Sequence, residues 1–252
     1  MHTAGLVSVS FRTLSAEEII AAAKVSDLNF IEWGSDIHAP YSDVQKLKHI
    51  AELCNSNGII CSYGSYFRFG RDNIKNIRQY IKAAQILDAK FIRVWCGTKG
   101  SREYTASELD ALYTDCKYAA KIAAESGITL GMECHNWTLT DSKESALALI
   151  KEVNSPAFKM YWQPNQFKTI EENIDYAKII APYTICIHAF NWKQIEKFPL
   201  ASAKDEWLRY LQCFQSNIPV LLEFMPDDKL ESLPNESKTL HLLLNNPSIP
   251  KF

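Results

Sequence analysis

The sequence predicts a (β/α)8 barrel that occupies the whole chain, residues 1–252, as one domain. Two observations carry this. Eight short apolar runs alternate with eight helical patterns, which implies parallel strands joined by right-handed crossovers. No linker or low-complexity tract divides the eight units, and about 250 residues is a common length for such a barrel. The rival, an open doubly wound sheet, usually carries a glycine-rich turn after its first strand. Here that place holds Ser8-Val-Ser-Phe-Arg12.

Residues 5–11 read as the first strand. Ser15 follows as an N-cap, with Glu18 three residues on as its capping-box partner, and the helix runs to about residue 26. Residues 30–33 form the second strand, and its helix runs from about residue 42 to Gly58, a C′ glycine. Residues 59–63 form the third strand. Residues 73–89 form an amphipathic helix with Ile74, Ile77, Ile81 and Ala84 on its apolar side. The fourth strand is 91–95, followed by a long helix over 107–126 that Gly127 ends. The remaining pairs are strand 128–133 with helix 142–153, strand 158–162 with helix 169–180, strand 184–188 with helix 203–214, and strand 219–224 with helix 235–244. The stretch 62–70, Ser-Tyr-Gly-Ser-Tyr-Phe-Arg-Phe-Gly, reads as a lid after the third strand.

Composition narrows the function classes. With 47% hydrophobic and 22% charged residues the chain has enough apolar surface to fold. A net charge of −2 gives no global field that favours nucleic acid. The seven cysteines are scattered without a CxxC pair, which fits a reducing cytoplasm. No stretch approaches the roughly 20 apolar residues of a spanning helix, and the N-terminus has no basic-then-apolar segment, so no membrane partner is expected.

In such barrels the chemistry sits where strands end. In Leu130-Gly-Met-Glu-Cys-His135, strand alternation puts Glu133 and His135 on one side. Comparable groups end the next three strands: Gln163, His188 and Glu223. Each follows an apolar run, where an unpaired charge is costly, so a shared purpose is expected. Two carboxylates, an imidazole and an amide oxygen make a mostly hard ligand set. Glu133, Gln163, His188 and Glu223 are therefore the candidate ligands of Mn²⁺ or Mg²⁺, with Zn²⁺ or Co²⁺ as alternatives. Aromatics crowd the same strand ends, among them Trp33, Tyr66, Trp95, Trp162, Trp192 and Phe224. Several of them pack loops. A flat apolar wall beside polar groups also suits a carbohydrate. Arg93 reads equally as a substrate contact and as an interior ion pair. The loops after the last two strands lack a glycine-rich phosphate cradle, and Asp227 and Asp228 would repel a phosphate.

Through Glu133-x-His135, His188 and Glu223, and the Thr138-Leu-Thr-Asp141 that follows, the chain resembles the xylose isomerase-like TIM-barrel superfamily, in its sugar phosphate isomerase/epimerase group. The resemblance covers nearly the whole chain. It implies a metal held by Glu, Asp, His and Glu on strands 5 to 8. Gln163 stands where the Asp is expected, and Gln166 where the group often has a His. It further implies that Glu133 and Glu223 exchange a proton beside a sugar carbonyl through an enediolate, while His135 orients Glu133 or meets substrate. The expectation is a divalent-metal isomerase or epimerase of an unphosphorylated sugar or keto-sugar. Catalysis falls to Glu133 and Glu223, and substrate contacts to His135, Gln166, Arg93, Trp33, Trp95 and Tyr66. The alternatives are a lyase or dehydratase acting on a keto-sugar or keto-inositol derivative, and a sugar-binding barrel without catalysis. A homodimer or homotetramer is implied by the resemblance alone.

Overall fold

The computed structural model describes residues 2–214 and 217–249. Eight parallel strands close a barrel: β1 (Thr3–Val7), β2 (Phe30–Gly34), β3 (Ile60–Phe69), β4 (Phe91–Cys96), β5 (Thr129–Glu133), β6 (Phe158–Trp162), β7 (Thr184–Ala189) and β8 (Pro219–Leu222). Each pairs with its neighbours in sequence, and β8 pairs with β1 to complete the ring. Eight helices wrap it: α1 (Ala16–Val25), α2 (Val44–Asn57), α3 (Ile77–Ile86), α4 (Ala106–Glu125), α5 (Lys143–Val153), α6 (Ile170–Ile180), α7 (Lys204–Leu211) and α8 (Leu233–Leu244). The capping box of Ser15 and Glu18 forms as expected, and Thr105–Glu108 and Thr169–Glu172 repeat it on α4 and α6. Gly58 ends α2 at φ +67°, where an L side chain would be strained. No helix among the described residues is long and apolar enough to cross a membrane.

Several elements differ from the sequence reading. The first strand stops at Val7, and Ser8–Phe11 turns into a 3-10 helix. The cause is local: Ser8 Oγ accepts the Gly34 amide at 2.9 Å and meets His38 Nδ1 at 3.0 Å, drawing the chain out of the ladder. β3 runs on to Phe69, so residues 62–69 of the expected lid are strand. After an irregularity between Gly64 and Arg68 it pairs again with β4, Arg68 opposite Trp95 and Phe69 opposite Cys96. The helix expected over 73–89 opens with a 3-10 turn and is α-helical only from Ile77 to Ile86. After β7, a short antiparallel hairpin, Trp192–Lys193 with Glu196–Lys197, was not foreseen.

Strand alternation sorts the side chains into two cores. Leu6, Ile31, Trp33, Ile92, Leu130, Met160, Trp162, Ile187 and Val220 face outward and pack under the helices. Val7, Phe30, Phe91, Tyr161, Cys186 and Leu221 face inward and fill the barrel. The inner layer fits because bulk alternates with its absence. At Gly5 a Cβ would lie 2.5 Å from Leu221 Cδ2, and at Gly131 it would lie 3.0 Å from Tyr161 Cδ2. The interior is therefore a packed plug, and polar chemistry begins only above it. Two residues further along several strands the apolar side chains give way to ionisable ones, as from Phe30 to Glu32, Phe91 to Arg93, Cys186 to His188 and Leu221 to Glu223.

Trp162 anchors the outer core. It is fully buried against Tyr210 and Phe214, with ring centroids at 5.4 and 5.1 Å, and its indole nitrogen has no partner among the described residues. Trp162→Ala is expected to cost about 3–5 kcal/mol in denaturant unfolding, as large-to-small aromatic changes do. Trp162→Phe keeps a ring and removes the orphan donor, so its loss should be well under half of that.

Candidate functional site

The C-terminal ends of the strands converge on a cluster that is nearly dry. Glu32, Arg93, Glu133, His188 and Glu223 are all buried. Arg93 lies at its centre. Its Nε donates to Glu32 Oε1 at 2.9 Å and its Nη1 to Glu133 Oε2 at 2.6 Å. Trp95 Nε1 donates to the same Glu133 oxygen. Glu32 Oε2 accepts from the Tyr161 hydroxyl and from His188 Nε2, the latter at 3.4 Å. The backbone supports this layer. Glu133 O accepts from Thr140 Oγ1 at 2.5 Å, and the Glu223 amide is held by Ala189 O at 3.0 Å beyond the end of β8.

The other nitrogen of His188 faces three oxygens. Nδ1 lies 3.3 Å from Gln163 Oε1, 3.4 Å from Glu223 Oε2 and 3.9 Å from Glu133 Oε1. With Nε2–H directed at Glu32, Nδ1 of a neutral ring presents a lone pair toward three acceptors. That arrangement is repulsive unless a proton or a cation lies among them.

Charge follows the same geometry. Burial alone would raise Glu32, but the Arg93 charge, with His188 and the Tyr161 hydroxyl, outweighs it and holds the carboxyl at about 2. Glu133 is also desolvated, yet Arg93 and His188 bring it below the ordinary glutamate range. Glu223 goes the other way: burial and the nearby Glu133 charge raise it, with His188 opposing. Burial would lower His188, and the carboxylates of Glu223 and Glu32 reverse that and raise it. Three carboxylates against one guanidinium leave two negative charges in this cluster when His188 is neutral.

Among the described residues no three His, Cys, Asp or Glu side chains stand in a closed metal-binding arrangement. The groups around His188 Nδ1 are more open than that. Adjacent ligands of a hexacoordinate Mg²⁺ or Mn²⁺, at about 2.1 Å from the ion, lie about 3 Å apart. Gln163 and Glu223 are within a few tenths of an ångström of that spacing, and Glu133 would have to close by about 1 Å. The donor types fit a hard divalent cation, and its two charges would balance the excess.

A cavity of about 230 Å³ opens above the cluster, lined by Tyr66, Trp95, Glu133, His135, Gln163, Gln166, Trp192, Glu223 and Phe224 among others. Of the residues expected to bind substrate, Tyr66, Trp95, His135 and Gln166 line it. His135 lies beyond the strand end, stacked on Trp95 at 4.7 Å, rather than beside Glu133 on β5. Arg93 reaches the cavity wall, but its donors serve Glu32 and Glu133, so it is the interior ion pair. Trp33 is a correction. It faces outward between β2 and α2, where its Nε1 donates to Cys54 Sγ at 3.3 Å, and it does not touch the cavity. Strand parity explains this: its neighbour Glu32 takes the inward position. Sequence reasoning passed over Glu32 and Tyr161. A carboxylate within the apolar Phe-Ile-Glu-Trp run of β2 was the available signal. Asn136 and Asn165, also on the wall, are joined by a short side-chain hydrogen bond. Phe224 adopts φ +61° there, its amide held by Ser10 Oγ at 2.9 Å, with its ring against Trp192 at 5.1 Å.

Solved structures share this architecture. The probable 3-DHS dehydratase AsbF from Bacillus anthracis superposes with a TM-score of 0.80 at 18% identity, covering 96% of this chain and 99% of that one. The IOLI protein with a bound zinc atom gives 0.76 at 15% identity, over 96% and 98%. D-psicose 3-epimerase from Clostridium cellulolyticum H10, solved with D-tagatose, gives 0.72 at 11%, over 97% and 100%. At these identities the likeness is one of fold. A comparison with curated proteins gives no match. The sequence pattern of the xylose isomerase-like TIM barrel matches residues 20–207, well over half of the chain, and the protein therefore belongs to the xylose isomerase-like TIM barrel family.

Proposed function

We propose that the protein is a divalent-metal-dependent enzyme that moves a proton beside the carbonyl of an unphosphorylated sugar or keto-sugar, as an isomerase or epimerase. The observation that carries this is the convergence of Gln163, Glu133 and Glu223 oxygens on His188 Nδ1, at the floor of a small cavity. Glu133, Gln163, His188 and Glu223 would hold the ion, Mn²⁺ or Mg²⁺. Bound there, it would supply Lewis-acid stabilisation of the charge that develops on a substrate carbonyl oxygen.

The chain's own groups divide the remaining work. Glu223, whose carboxylate meets only His188 among the described residues, removes the proton from the carbon beside the carbonyl. Its raised pKa suits it to accept and then return a proton. In an isomerisation the proton goes back to the neighbouring carbon. An epimerisation also needs Glu133 to enter protonated, against the hold of Arg93 and Trp95, so that it can deliver a proton to the opposite face. Trp95, Tyr66, Trp192 and Phe224 give the cavity apolar walls for the C–H face of a sugar, and His135, Asn165 and Gln166 offer partners to its hydroxyls. Among the described residues Arg93 is the one Lys or Arg that lines this cavity, and it is paired with Glu32 and Glu133, which suits a neutral substrate better than a phosphate ester.

A dehydratase is the second reading, and one observation favours it. Glu133 Oε2 is held by both Arg93 and Trp95, so the two glutamates are unequal as proton carriers. One carboxylate suffices for an elimination: Glu223 takes the proton beside the keto group, the hydroxyl on the next carbon departs, and Glu223 protonates it to water.

Incubation with keto-sugars in deuterated water tests both readings. Mn²⁺ should stimulate deuterium uptake and EDTA should abolish it, with isomer or dehydrated product identifying the reaction. Absence of uptake on a broad panel of keto-sugars, with and without Mn²⁺, would leave a binding barrel. Glu223→Gln should lower the exchange rate by about 10²–10⁴-fold, the usual contribution of a general base. Gln163 already reaches to 3.3 Å from His188 Nδ1, so Gln163→Glu adds a charge without changing length. It should tighten Mn²⁺ binding at least tenfold, about 1.4 kcal/mol, in isothermal titration.

A further inference from the structure

Glu32 stands outside the candidate ligand set and does not line the cavity. It is nevertheless fully buried, on an inward position of β2. A buried carboxylate is costly unless its lone pairs are used. Here three donors use them: Arg93 Nε on Oε1, and the Tyr161 hydroxyl and His188 Nε2 on Oε2. Space is kept for it as well. Gly64 lies beside it on β3, and a Cβ there would fall 2.5 Å from Glu32 Oε1 and 3.0 Å from its Cγ and Cδ. Four strands beyond β2 itself thus contribute to one side chain: β3 a glycine, β4 an arginine, β6 a tyrosine and β7 a histidine.

We propose that Glu32 is a positioning residue that aims two candidate ligands from behind. By accepting Nε2–H it fixes the His188 tautomer that leaves the Nδ1 lone pair toward Gln163, Glu133 and Glu223. By holding Arg93 Nε it fixes the guanidinium whose Nη1 takes Oε2 of Glu133, leaving Oε1 toward His188 Nδ1, 3.9 Å away. Carboxylates behind a ligating histidine orient the ring and raise its basicity. Glu32 does this for His188 and, through Arg93, for Glu133.

Glu32→Gln reverses the logic at one atom. The guanidinium can face only the amide oxygen, so the amide NH2 turns toward Tyr161 and His188. His188 Nε2 must then accept, and the ring proton moves to Nδ1, among the three oxygens. This inference rests on the metal reading above in only one arm of its test. In the first arm, nitrogen-15 NMR of metal-free protein at alkaline pH reads the His188 tautomer, assigned by difference with His188→Asn. Nε2–H in the native chain and Nδ1–H in Glu32→Gln are expected. Nδ1–H in the native chain, or one tautomer in both, overturns the proposal. In the second arm, Mn²⁺ titration followed by the EPR of free Mn²⁺ should show binding 10–100-fold weaker in Glu32→Gln. Gly64→Ala, which crowds Glu32 without removing a polar atom, should weaken binding in the same direction. Circular dichroism confirms that each variant is folded. Native affinity in a folded Glu32→Gln overturns the proposal. Should the native chain bind no Mn²⁺, the metal reading falls and the tautomer arm alone decides the role of Glu32.

Discussion

The arrangement above the barrel plug depends on one buried cation. Arg93 lies between Glu32 and Glu133, and all three side chains are almost without solvent. A buried ion pair is a poor source of net stability, since apolar residues of equal volume often do as well. Removing one partner is another matter and typically costs about 3–5 kcal/mol, because the charge left behind is uncompensated. Arg93 is thus best understood as a constraint on direction. Its planar fork has fixed donors, and each oxygen it engages is withdrawn from other use. Glu133 consequently keeps its other oxygen out of that pairing, and the Glu223 carboxylate receives no hydrogen bond from the guanidinium.

That asymmetry separates this site from a pair of equivalent bases. Burial acts on both glutamates, but only Glu133 receives hydrogen bonds from Arg93 and Trp95. Their ionisation shifts in opposite directions chiefly because the Arg93 charge lies against Glu133, whereas burial and the Glu133 charge act on Glu223. Two carboxyl groups pushed apart by their surroundings commonly take different roles in proton transfer. The neutral amide of Gln163, 3.3 Å from His188 Nδ1, adds an oxygen to this cluster without adding a charge.

Much of this was legible in the sequence. The alternation of runs and helical patterns gave the barrel, and β2 and β6 fall within one residue of their expected bounds. Glu133, Gln163, His188 and Glu223 could be read because each ends an apolar strand, and they do meet. The choice between Glu32 and Trp33 could not be made from aromatic character; only the inward or outward phase of β2 decides it. The extension of β3 was hidden because residues 65–69 look like a surface loop until β4 offers its edge. The early stop of β1 depends on Ser8 meeting a backbone amide from β2 and a histidine after it, contacts between segments some thirty residues apart. Tyr161 was overlooked because its partner, Glu32, lies 129 residues away in the chain.

The bonds of Glu32 to β4, β6 and β7 run across the bore and lace facing staves together. Staves tied in this way cannot shift singly, so the floor of the cavity behaves as a single rigid part. Adaptability is left to the rim, where Asn165, Gln166 and Phe224 lie in loops and Trp192 in the hairpin after β7, none of them bonded to Glu32, Arg93 or Tyr161 among the described residues. Gln166 and Trp192 also border a second hollow of about 370 Å³ on the outer side. Exchanging rim residues would therefore reshape the cavity mouth, while the buried groups beneath keep their alignment.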